Sequence, residues 1–218
     1  MISEKPTLIY VTDPLCGWCY GFQPILDKIM SRFSERLHFE LMSGGLAITD
    51  PPEKISEGYA YLYNLIPNIE KITGRTFGDP FKILLEEGNY LYNSEPPSVA
   101  QTVMKQMQPQ HTFDFSKKMQ SAFFKSGANL NNWDTYKQLL DNYEIDKSEF
   151  KKHFSSSEYR HKTYDEFARS RNYGADGFPA LILKLGDEYG IITKGYRPFD
   201  TIESHLHYLL NNLEKLQP

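Results

Sequence analysis

Apolar positions in the first fifty residues change period twice. Thr7-Leu8-Ile9-Tyr10-Val11-Thr12 is an unbroken apolar and β-branched run, the pattern of a buried strand. Phe22, Ile25, Leu26, Ile29, Met30 and Phe33 then recur at helical spacing and form one apolar stripe. Leu37 to Met42 alternates again, so the segment predicts a βαβ unit whose crossover imposes parallel pairing. Ser43-Gly44-Gly45 ends the second strand at a turn, where glycine supplies positive φ without a Cβ penalty.

From Pro51 to about Arg171 the periods are helical and no strand pattern is evident. Pro51-Pro52 predicts the start of one helix, and Gly78-Asp79-Pro80 and Glu95-Pro96-Pro97 interrupt it. Further helices are predicted near residues 97 to 107, 112 to 126, 133 to 142, 146 to 154 and 157 to 172. Asp146 with Glu149 reads as a capping box, and Gly174 as a C-terminal stop. Tyr59, Tyr61, Tyr63, Tyr90, Tyr92, Phe123 and Phe124 read as core and interface of a helical bundle. Strand chemistry returns with Ala180 to Leu185, a turn at Gly186-Asp187, and Tyr189 to Thr193, which together predict an antiparallel hairpin. A last amphipathic helix is predicted from Asp200, with Ile202, Leu206, Leu209, Leu210, Leu213 and Leu216 as its stripe. Residues 1–50 and 173–218 thus read as one unit and residues 51–172 as a helical insertion domain.

Composition adds exclusions. Of 218 residues, 40% are hydrophobic and 24% charged, which rules out a disordered chain. A net charge of −4 without a clustered basic face argues against nucleic acid as a partner. No apolar run approaches the ~20 residues of a membrane span. The apolar stretch after Met1 to Thr7 is shorter than the ~7 to 15 residues of an export signal, so a cytoplasmic location is expected.

The chemistry lies in Cys16-Gly17-Trp18-Cys19, which holds the chain's 2 cysteines at the junction of the first strand and first helix. A sulfur at a helix N-terminus meets unpartnered amides and the positive end of the macrodipole, which favour thiolate. Cys16 is therefore the expected nucleophile, and Cys19, one turn further in, the thiol that resolves a mixed disulfide. A zinc half-site needs more ligands than the chain offers nearby, since His205 and His207 point to different helix faces. An inert buried thiol pair is the other bland reading, and the strand-to-helix setting favours redox chemistry over both. Trp18 is expected beside Cys16, either as an apolar platform for a client or packed over the insert.

Cys-x-x-Cys after strand one, a helical insert of about a hundred residues and Gly177-Phe178-Pro179-Ala180 before a returning strand together resemble the thioredoxin-fold DsbA family. Asp13-Pro14-Leu15-Cys16-Gly17-Trp18-Cys19-Tyr20-Gly21-Phe22, Ser43-Gly44-Gly45-Leu46 and Tyr92-Asn93-Ser94-Glu95-Pro96 are similar to its FrnE-like branch of protein disulfide isomerases. The resemblance implies an α/β thioredoxin-like fold with a mixed sheet and a large all-helical insertion. It also implies a cis Phe178-Pro179 peptide packed against the cysteines, where Phe178 and Pro179 hold an extended substrate strand. Tyr10 stands where many such enzymes carry a buried acid, which leaves that role to solvent or to Asp13. Asp13 also reads as a helix N-terminal cap. Gly17-Trp18 supplies no imidazolium beside Cys16, so a weaker oxidant than DsbA is expected.

The function read this way is a thiol-disulfide oxidoreductase of isomerase type. Its partners would be protein or small-thiol disulfides, glutathione among them, with neither metal nor organic cofactor. Two other readings stand beside it. One is a glutathione-dependent isomerase or transferase of kappa-class type, although that class presents Ser where Cys16 stands. The other is an adaptor that binds a partner protein and uses its cysteines as a redox sensor.

Overall fold

The structure is a computed structural model that describes residues 5–216, and side chains through residue 212. Residues 1–4, on which the export-signal reading partly rests, and the side chains of Leu213 and Leu216 lie outside the described residues.

Four strands form one mixed sheet in the order β2-β1-β3-β4. They are β1 (Thr7–Thr12), β2 (His38–Ser43), β3 (Ala180–Leu185) and β4 (Glu188–Lys194). β1 pairs parallel to β2, with Leu8 opposite Phe39, and antiparallel to β3, with Ile9 opposite Ile182. β3 and β4 make the predicted hairpin, turning at Gly186 with φ +56°. Because β1 is central it is buried on both faces, which explains its continuous apolar run.

Helix α1 (Gly17–Phe33) crosses from β1 to β2, and α10 (Phe199–Leu216) packs beside it. The stripe of α1 meets Leu8, Leu41, Leu181, Ile202 and Leu206 in one core on this side of the sheet. Between β2 and β3 the chain forms α2 (Ile55–Gly58), α3 (Leu62–Thr73), α4 (Asp79–Glu87), α5 (Glu95–Met107), α6 (Thr112–Ser126), α7 (Trp133–Leu139), α8 (Lys147–Phe154) and α9 (Ser157–Asn172). Their shared core holds Phe81, Tyr92, Phe115, Phe123, Phe124 and Phe150, all nearly inaccessible.

Two sequence expectations fail here. No helix starts at Pro51-Pro52, because Lys54 bridges Leu91, Tyr92 N–H donates to the Glu53 carbonyl at 2.9 Å, and Ile55 N–H donates to the Tyr90 carbonyl. These bonds hold the chain extended until α2. Tyr61 and Tyr63 are also not core but about half exposed, at 53% and 51%. They flank the start of α3, and Tyr63 Oη donates to Glu86.

Other helix ends agree with their local chemistry. Asp146 caps α8 by accepting the Ser148 and Glu149 amides, and Gly174 follows α9 with φ +78°.

Candidate active site

The N-cap of α1 is Cys16 itself, whose Sγ accepts the Cys19 amide N–H at 3.1 Å. A thiol thus occupies the place that Ser or Asp usually fills. Cys16 is 5% exposed and Cys19 is inaccessible, and both are free thiols. The expected bias toward thiolate does not hold in this state. Burial pushes the Cys16 thiol well above its ordinary range, and the hydrogen bond and charge of Cys19 add to that. The Cys19 amide pulls the other way and Asp13 pushes slightly up. A helix dipole contributes about 0.3 to 1 kcal/mol, whereas desolvating a charge costs several, so burial wins.

Asp13 does not cap the helix; that expectation is corrected. It is fully buried, and its Oδ1 accepts the Leu15 N–H at 2.9 Å and the Ser94 hydroxyl at 2.9 Å. Its Oδ2 accepts the Leu46 N–H at 2.7 Å. Burial raises the carboxyl, and these donors oppose the rise. Ser94 Oγ accepts the Ala47 N–H in turn, and Tyr92 Oη donates to the Leu15 carbonyl. Gln120 Nε2 donates to the Asp13 carbonyl at 3.0 Å and Gln23 Nε2 to Gln120 Oε1 at 2.6 Å. The Cys-bearing loop, the Gly44 to Ala47 turn and the start of α5 are therefore tied through one carboxylate.

Tyr10 points into the same buried region. Its ring stacks on Phe22 with centroids 5.9 Å apart, and its hydroxyl has no hydrogen-bond partner of full geometry. Burial first, and then the Cys19 thiol, hold that hydroxyl well above the usual phenol range. It remains a neutral O–H and cannot replace a carboxylate base.

The Phe178-Pro179 peptide is cis. The Pro179 carbonyl accepts the Gly195 N–H at 2.7 Å, and the Phe178 ring lies over Gly44, where a Cβ would fall 2.2 Å from ring carbons. Cys16, Trp18 and Phe178 line one cavity of about 120 Å³. Trp18 is half-buried against the helical core, and its ring also meets Tyr196 at 6.0 Å. Cys19 sits behind Cys16.

Sequence reasoning missed the Asp13 to Ser94 link and the walls from Leu46, Leu62, Leu65, Ile66 and Ile69. Tyr92-Asn93-Ser94 was part of the family pattern, but nothing local indicated contacts across 77 and 81 residues. Among the described residues no group of three or more His, Cys, Asp or Glu side chains is gathered as a metal site requires. No described helix is long and apolar enough to cross a membrane.

Comparison with known proteins agrees with this geometry. A candidate protein disulfide isomerase from Nitrosomonas europaea superposes with a TM-score of 0.83 at 29% identity, covering 96% of this chain and 99% of that one. The cytosolic disulfide reductase DsbM from Pseudomonas aeruginosa superposes at 0.77 with 22% identity, over 94% and 98% of the two chains, and has also been solved with GSH. The ClpXP adapter protein SpxH of Halalkalibacterium halodurans is 26% identical over 223 residues, 99% of this chain and 72% of that protein. The DSBA-like thioredoxin domain matches residues 7–207, so with the mixed sheet and the placement of its cysteines the chain belongs to the DsbA-like thioredoxin family.

Proposed function

We propose that this protein is a cytoplasmic thiol-disulfide oxidoreductase that works on the reducing or isomerising side. The observation that carries the reading is the seat of Cys16: a sulfur at the N-cap of a 17-residue helix, bonded to the amide of a second cysteine one turn inward. Cys16 attacks one sulfur of a substrate disulfide as thiolate, forming a mixed disulfide and releasing the other substrate sulfur, which takes up a proton. Cys19 then attacks Cys16, the Cys16-Cys19 disulfide forms, and the second substrate thiol leaves. Two electrons and two protons pass to the substrate. Two molecules of a small thiol such as glutathione return the protein to the dithiol and leave as their own disulfide. Phe178 and Pro179 hold the substrate chain beside Cys16, and Trp18 covers its apolar side.

The raised Cys16 thiol supports the direction. A strong oxidant owes its potential to a stabilised reduced thiolate. Here burial denies Cys16 that stabilisation, so the disulfide is not driven to oxidise others. A stopped-flow assay of the dithiol against cystine peptides tests the reading. Cys16→Ser should abolish exchange, and Cys19→Ser should accumulate the mixed disulfide, visible by mass spectrometry.

The similarity to an adapter protein favours a second reading, in which the chain binds a partner protein. Binding that survives substitution of both cysteines by Ser, without any disulfide exchange, would decide for it.

A further inference from the structure

The Tyr10 hydroxyl is buried beside the thiols and takes no part in the attack by Cys16. Its ring stands on the face of β1 that meets α1, in one core with Leu8, Phe22 and Leu181, and the residue is 4% exposed. The ring stacks on Phe22 with centroids 5.9 Å apart. Cys19 precedes Phe22 by three residues and so lies on the same face of α1, one turn nearer its start. The stack carries the hydroxyl toward the thiols, and the groups facing it are the Cys19 thiol, the Thr12 side chain and the Cys16 thiol. Thr12 Oγ1 already accepts from Gln120 Nε2 at 3.4 Å. In the dithiol the Tyr10 hydroxyl has no hydrogen-bond partner of full geometry. A buried donor left open in this way calls for a partner in another state of the site.

Cys19 supplies that state. It must be a thiolate to attack, yet it is inaccessible to solvent, and a buried charge without a partner is costly. Its own amide N–H is already given to Cys16 Sγ. We propose that Tyr10 is a catalytic residue of the resolving step, its hydroxyl donating a hydrogen bond to the Cys19 thiolate as that sulfur attacks the mixed disulfide. The proposal rests on the oxidoreductase reading and adds a residue to it. Cys19 gives its proton to solvent, and its Sγ forms the bond to Cys16 Sγ. The bond from Cys16 Sγ to the substrate sulfur breaks, and the substrate leaves with that electron pair and takes up a proton from solvent. Tyr10 keeps its own proton throughout, so it stabilises charge and is not the base. Because the bond is made to the thiolate and is missing in the dithiol, it lowers the barrier of resolution without stabilising the resting state. Cys16 draws instead on the Cys19 amide at the start of α1.

The test uses the reduced full chain and the chromogenic disulfide dithiobis(nitrobenzoate), which releases one coloured thiolate when Cys16 attacks and a second when Cys19 resolves the adduct. In Tyr10→Phe the first phase should keep its rate and the second should slow about tenfold or more, the worth of one hydrogen bond to a charge. The Cys16 adduct should then accumulate in mass spectra after acid quench, while the urea midpoint is equal or higher, which separates the effect from lost packing. Phe22→Leu, which keeps the hydroxyl and removes the ring that aims it, should give the same split and stands in should Tyr10→Phe not fold. A second phase unchanged in the folded variant, or both phases slowed alike, would overturn the role of Tyr10 and leave the oxidoreductase reading standing. A wild-type chain that keeps adducts on both sulfurs and forms no Cys16-Cys19 disulfide would instead refute the oxidoreductase reading.

Discussion

Two residues at the site show burial deciding chemistry against local bias. Cys16 has the position that lowers a thiol pKa and the surroundings that raise it, and the surroundings prevail. The thiol of the folded chain is raised above its unfolded value of ~8.5, so the folded state holds this proton longer. Stability from this group is present below that pH and is lost as pH rises through the folded value. The thiolate absorbance at 240 nm should therefore appear only above the range of a free thiol, and reaction with a disulfide should keep rising from pH 7 to 9 without a plateau. A plateau near pH 6 would refute the assignment. Tyr10 gives a second case, since its hydroxyl is buried without a full partner. An unpaired buried polar group costs about 1 to 3 kcal/mol, so Tyr10→Phe should unfold at equal or higher urea concentration, and a loss of 2 kcal/mol or more would show that the hydroxyl is satisfied.

The site is assembled from element ends that meet at Gly44. Its missing side chain lets the Phe178 ring sit against the end of β2, and Gly45 beside it adopts φ +72°. Gly44→Ala should displace the Phe178 loop. Overpacking typically costs about 1 to 3 kcal/mol, and exchange with peptide disulfides should slow at least tenfold, a pairing measurable by urea denaturation and stopped flow. Asp13 is the other junction, because one carboxylate accepts from Leu15, Leu46 and Ser94. Removing it in Asp13→Ala leaves the buried Leu15 and Ser94 donors and the part-buried Leu46 amide unpaired and should cost about 3 kcal/mol or more. The start of each predicted helix with a good cap, such as Asp146 before α8, was legible because the signal is local. The segment after Pro51 was not, because residues 90 to 92 hold it extended from forty residues away.

Across the whole molecule, periodicity conveyed the order βαβ, helices, ββα, since central and edge strands and amphipathic helices each leave a distinct spacing. The cysteines could be placed on α1 for the same reason. The cavity and the Asp13 junction depend on how the inserted helices fold back against α1 and β2, and no spacing encodes that. Glycine and proline patterns of the family pointed at these loops without indicating their contacts. The claim that joins all scales is that Cys16 and Cys19 form one reversible two-electron couple whose dithiol is not stabilised as thiolate. Its most direct test is a redox titration of the intact chain in glutathione buffers of graded ratio, with the thiols counted by mass after acid quench and alkylation. The expected result is a single transition between dithiol and intramolecular disulfide at a midpoint nearer to about −270 mV than to about −120 mV. Two thiols that react independently, with no intramolecular disulfide at any ratio, or a midpoint close to the oxidising end, would contradict it.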